Sequence, residues 1–79
     1  MTTFCEGDIV YYDDFDARWY GVIQRVTIGP PVKIWAHWKT TIERAKEAAI
    51  NDTNLYFVWA DNLHLATKKS WREVYGAIN

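Results

Sequence analysis

A single cysteine, Cys5, stands in this chain of 79 residues, so no intrachain disulfide framework and no cysteine-rich zinc site can be built. Histidine is nearly as scarce. His37 and His64 with Cys5 make a thin ligand set, and the expectation is that the chain holds no metal and no cofactor. No apolar run approaches the roughly 18 residues that span a bilayer. The first residues, Met1-Thr2-Thr3-Phe4-Cys5-Glu6, lack both the basic start and the apolar stretch of a secretory leader, so a cytoplasmic location and no membrane partner are expected. An excess of positive charge is missing too: the formal net charge is −1. Residues 1–20 carry a net −4, residues 21–59 a net +2 and residues 60–79 a net +1. That is not the basic stripe with which a protein grips duplex phosphates, and Lys68-Lys69 with Arg72 reads as a solvated surface.

What the chain does have is apolar and aromatic mass. Hydrophobic residues are 49% and aromatic residues 16%, too apolar for disorder. The length allows one domain, 1–79, and a chain this short buries only about 60% of its unfolded surface. Bulky rings are an efficient way to fill so small a core.

Glu6-Gly7-Asp8 is a turn signal, and Ile9-Val10-Tyr11-Tyr12 reads as a first strand. Asp13-Asp14-Phe15-Asp16-Ala17 is a loop, its carboxylates suited to bonding turn amides. Residues 18–27 read as a long second strand. Its apolar positions Gly21, Ile23 and Val26 skip one place after Ile23, which predicts a bend or bulge. Gly29-Pro30-Pro31 is a turn. Val32, Ile34 and Ala36 then alternate with Lys33, Trp35 and His37, giving a third strand with His37 on the outward side.

Thr40-Thr41-Ile42-Glu43 fits a capping box opening a short helix over about 40–50, with Ile42, Ala45 and Ala49 on one face. Residues 54–59 read as a fourth strand, residues 60–63 as a single 3₁₀ turn, and residues 63–65 as a short last strand. Ser70-Trp71-Arg72-Glu73 is a second capping box, opening a C-terminal helix over about 70–78. The expected core is Val10, Ile23, Val26, Val32, Ile34, Ala36, Phe57 and Leu63. Tyr11, Trp35, Tyr56 and some of Trp19, Trp38, Trp59 and Trp71 then face outward. Cys5, with no activating neighbour in the sequence, reads as a small buried apolar residue or a bystander. The class is mainly β: a five-stranded, partly open barrel with an inserted helix and a C-terminal helix.

Four pieces in order resemble the SH3-like barrel superfamily, and Tudor-type domains within it. They are Gly7-Asp8-x-Val10, Trp19-Tyr20-Gly21-x-Ile23-x-x-Val26, Val32-x-Ile34 and Asp61-Asn62-Leu63. The resemblance covers roughly residues 6–66. It implies no single job, since such barrels bind proline-rich peptides, methylated Lys or Arg, or nucleic acid. Others dock as accessory subunits of the photosystem I and ferredoxin–thioredoxin reductase kind. In Tudor-type domains an aromatic cage is drawn from places that Tyr12, Tyr20, Trp35 and Trp38 match here, with Asp13 and Asp14 adjacent. A desolvated cation over such rings gains roughly 0.5–2 kcal/mol. A free-standing barrel of this size points to a prokaryotic or viral setting, where reading methyl-lysine answers no evident need. In peptide-binding SH3 domains, an acidic loop at the place of Asp13, Asp14 and Asp16 selects basic residues.

No Ser/His/Asp order, glycine-rich phosphate loop or paired catalytic carboxylates are present, so the chain does not read as an enzyme. The function expected is a module that binds a protein partner, through a basic segment, on a face of Tyr12, Asp13, Asp14, Asp16, Tyr20, Trp35 and Trp38. Two alternatives stand beside it. One is a homo-oligomer holding a small planar ligand such as a nucleotide. The other is a single-stranded nucleic-acid module, which the missing basic groove makes the weaker reading.

Overall fold

The first strand begins where a buried aspartate organises a turn. Asp8 is 5% exposed, and its Oδ2 accepts from the Cys5 amide at 3.0 Å while its own amide donates to the Cys5 carbonyl at 3.0 Å. Gly7 between them has φ 94°, a left-handed conformation that glycine adopts without Cβ strain. The computed structural model describes residues 4–67, and the side chain of Thr67 is not part of that description.

Seven regular elements and a 3₁₀ turn follow. The strands are β1 (Ile9–Asp13), β2 (Arg18–Val22), β3 (Arg25–Thr27), β4 (Lys33–Ala36), β5 (Tyr56–Trp59) and β6 (His64–Thr67). The helix α1 (Ile42–Asn51) lies between β4 and β5, and the 3₁₀ turn (Ala60–Asn62) between β5 and β6. All pairing is antiparallel, in two three-stranded sheets ordered β2-β1-β6 and β3-β4-β5. Among the described residues the class is therefore mainly β with one helix; the mainly β class is as the sequence predicts, whereas six strands in two small sheets stand where five were expected in one barrel. The expected C-terminal helix over 70–78 lies outside the described residues. No described helix is long and apolar enough to cross a membrane.

The skipped apolar position in residues 18–27 marks the point where the chain leaves one sheet for the other. The Ile23 amide donates to the Asp8 carbonyl beside β1 at 2.9 Å, and the next amide, of Gln24, donates to the Trp35 carbonyl of β4 at 2.9 Å. One strand is expected there; two are found, because consecutive residues bond to different sheets. Pro30 and Pro31, joined by a cis peptide bond, lie in the turn from β3 to β4.

Two cores result. Val10, Ile23, Ile34 and Leu63 are buried between the sheets, with Val26, Val32, Val58, Tyr12 and Trp38 packed against them. Ile9, Val22, Ala45 and Ala49 form a second cluster where α1 covers the other face of the β2-β1-β6 sheet. Strand β1 is thus buried on both sides: Ile9 and Val10 point to opposite faces and both are fully enclosed. Burial of each such side chain contributes roughly 1.5–3 kcal/mol. Alanines at 45, 48 and 49 let the helix approach the sheet closely, and Ile42 packs on the same cluster.

Four details depart from the sequence reading. The helix cap is Thr41, whose hydroxyl accepts from the Arg44 amide at 3.1 Å, so the capping position sits one residue after Thr40. Phe57 is 40% exposed, because Val58 stands opposite Ile34 and takes the inward place, leaving Phe57 on the other face. His37 is only 6% exposed, because β4 ends at Ala36 and the alternation that would turn His37 outward ends with it. Cys5 is exposed, which removes the buried one of its two readings.

Candidate functional site

After β4 the chain swings back to the open edge of β2. The Tyr20 amide donates to the Lys39 carbonyl at 2.6 Å, and the Lys39 amide returns the bond at 2.9 Å. This bridge holds Trp38 beside β2, where Gly21 leaves room for its indole. Trp38 Nε1 donates to the Tyr56 carbonyl at 3.0 Å, which ties the ring to the start of β5. Tyr12 meets it edge to face, the ring centroids 5.3 Å apart with an interplanar angle of 73°.

These groups line a cleft of about 470 Å³, with Tyr12, Trp19, Trp38 and Tyr56 as its rings and His37 in its wall. Trp19 belongs there because it stands directly opposite Tyr12 in the β1–β2 ladder, on the same face. The charged groups of the wall are Asp14, Lys39 and Asp52. Lys39 pairs with Asp52 at 3.4 Å, leaving Asp14 as the carboxylate without an ion-pair partner among the described residues. Asp14 Oδ1 accepts from the Phe15 amide at 2.7 Å, which orients the carboxylate at the rim. Burial pushes the Tyr12 phenol above its ordinary value, and the Asp14 charge adds to the rise. A tyrosine so placed is a neutral ring and hydroxyl at physiological pH. Nδ1 of His37 is buried without a hydrogen-bond partner among the described residues.

Of the seven residues singled out in the sequence, the cleft gathers Tyr12, Asp14 and Trp38. Tyr20 pairs with Tyr11, centroids 6.0 Å apart, and packs toward the helix-covered core. It lies one place from Trp19, and in a strand one place is the opposite face. Trp35 lies over the outer side of the second sheet, against Phe57 at 5.2 Å. It does not join Trp38, because β4 ends between them. Asp13 is engaged by Arg18, whose Nε approaches its Oδ1 at 2.7 Å and whose guanidinium also lies 4.1 Å from the Tyr11 ring centre. Asp16 is exposed in the loop.

The residues missed are Trp19, His37, Lys39, Asp52, Asn54 and Tyr56. Only Trp19 carried a signal, since a hairpin closing over residues 14–17 places it across from Tyr12. The others reach the cleft through chain crossings that no local pattern encodes. Among the described residues no three His, Cys, Asp or Glu side chains converge as a metal site. No protein-family model, no curated protein and no solved structure matches the chain.

Proposed function

We propose that this chain is an SH3-like barrel module that works by binding, and that the Tyr12–Trp38 cleft takes a basic segment of a protein partner. The barrel reading is supported by chain order. The second strand of the sequence reading is shared between two sheets, the last strand lies beside the first, and a 3₁₀ turn precedes it. The observation that carries the function is the placement of Asp14, without an ion-pair partner among the described residues, at a cleft walled by Tyr12, Trp19, Trp38 and Tyr56. A Lys or Arg side chain entering there meets ring faces of negative potential and a carboxylate at once. Tyr and Trp supply contact area at low entropic cost, as in the hot spots of many interfaces.

The test compares the tagged full chain with its Asp14→Asn and Tyr56→Ala variants. Native mass spectrometry reads what each retains from source lysate, followed by titration of the recovered partner's basic segment as a synthetic peptide. A stoichiometric protein partner whose peptide binds at least about tenfold more weakly to either variant supports the cleft, since a lost cation–π or charged contact is worth about 1–2 kcal/mol. A homo-oligomer carrying only a small bound mass sinks it, as does a partner whose peptide binds all three proteins equally.

A further inference from the structure

The outer side of the β3-β4-β5 sheet carries a second aromatic set, none of which lines the cleft. The register places Arg25 opposite Trp35 and Trp35 opposite Phe57; one step along the same face, Thr27 stands opposite Lys33 and Lys33 opposite Trp59. Two rows of three residues therefore cross the sheet, and none of the six is acidic. Ring centroids are 5.2 Å apart for Trp35–Phe57 and 5.0 Å for Phe57–Trp59. Arg25 lies 4.7 Å from the Trp35 ring centre, and Lys33 lies 4.9 Å from that of Phe57 and 5.7 Å from that of Trp59. Trp35 Nε1 donates to Thr27 Oγ1 at 2.9 Å, which ties its ring to the neighbouring strand.

Cross-strand pairs of this kind stabilise a sheet, but they do not require that it stay open to water. Here Phe57 keeps 40% and Trp59 38% of their surface exposed. Neither Arg25 nor Lys33 has an ion-pair partner among the described residues. An apolar partner on this face has to strip water from two cations without compensation. An acidic peptide satisfies the cations and leaves the rings unused. A single-stranded nucleic acid uses both, since every base has a π-face to stack and every nucleotide brings a phosphate. Net charge hides this surface, because the ten acidic residues of the chain all lie outside strands β3, β4 and β5, while the fold brings Arg25 and Lys33 to one face from two strands.

We propose that the outer face of the β3-β4-β5 sheet binds single-stranded nucleic acid, with bases stacked on Phe57 and Trp59 and phosphates held by Arg25 and Lys33. With two cations engaged, affinity is modest and sequence preference weak. The reading is independent of the cleft and its partner.

Fluorescence anisotropy of a labelled oligothymidylate of about twelve nucleotides, titrated with the full chain, tests the proposal. Binding is expected to weaken about sevenfold between about 50 mM and about 200 mM salt, the change for two phosphates neutralised on a single strand. Trp59→Ala is expected to weaken it at least about fivefold through lost stacking. Lys33→Glu keeps every ring and is expected to weaken binding strongly, which keeps the test decisive if Trp59→Ala does not fold. Phe15→Ala removes an exposed ring in the acidic loop and is expected to leave binding unchanged. Absence of saturable binding at low salt overturns the proposal, as does binding that ignores Lys33→Glu. Sedimentation showing a dimer that Trp59→Ala dissociates overturns it in favour of a second copy of the chain.

Discussion

Trp38 fills the space into which a side chain at Gly21 would project. A Cβ at Gly21 would sit 2.8 Å from the Cε3 and Cζ3 carbons of Trp38 and 2.8 Å from the Cβ of Ala36. Since both neighbours are held in place, Gly21→Ala is expected to cost about 1–3 kcal/mol of stability by overpacking. It also shifts the ring that meets Tyr12, and is expected to weaken binding of the proposed basic peptide. Urea unfolding together with peptide titration checks this, and an unchanged unfolding midpoint would show that the strand and ring yield more easily than argued.

The helix cap gives a second test with an internal control. Thr41→Ala removes the hydroxyl that accepts from the Arg44 amide and is expected to cost about 1 kcal/mol. Thr40→Ala, at the exposed neighbour, is expected to cost little. Chemical denaturation of the two variants side by side decides which threonine caps α1. Equal losses would move the cap back to Thr40.

Tyr12 links the cleft to alkaline pH. Burial first and the Asp14 charge second disfavour its phenolate, so the folded chain holds the proton more tightly than the unfolded chain, whose value is near 10.0. The stabilisation is fully present below that value and is lost as pH rises through the folded one. Ultraviolet titration, with Tyr12→Phe to assign the signal, is expected to place Tyr12 above the ordinary tyrosine range. Asp14→Asn is expected to bring it only part of the way back, because burial remains.

Asp13 acts at the other end of the scale. The hydrogen bond from Arg18 holds its carboxyl below the ordinary 3.8. The stability it contributes is present above that value and is lost as pH falls through the folded one. The pair is exposed, so the effect is small and fades with salt. Asp13→Asn is expected to flatten the acid limb of thermal stability at low ionic strength. An unaltered limb would mean that the contact is not maintained in solution.

Much of the architecture was legible because it is written locally. The turn at Gly7, the loop at residues 13–17, the break after Ile23 and the helical face of Ile42, Ala45 and Ala49 each follow from a few adjacent residues. The differences at His37 and Phe57 share one origin, which is parity. Alternation carried past the end of β4 points His37 outward, and alternation one step off in β5 puts Phe57 in the core in place of Val58. The same step separates Tyr20 from Trp19, and so separates the helix-side core from the cleft. A strand changes face at every residue, so an error of one residue in its bounds moves every side chain it carries.

Local sequence is enough to specify that the chain is mainly β, where its turns fall, and that it has more rings than so small a core can hide. Tertiary structure alone decided which rings meet. The cleft depends on the Tyr20–Lys39 bridge and on the Trp38–Tyr56 bond, contacts between residues 18 or more positions apart. The outer face depends on the register of three strands, which brings Arg25, Trp35 and Phe57 into one row. Local propensity specifies which segments extend or coil, whereas the pairing of distant segments is set by the packing of the whole core.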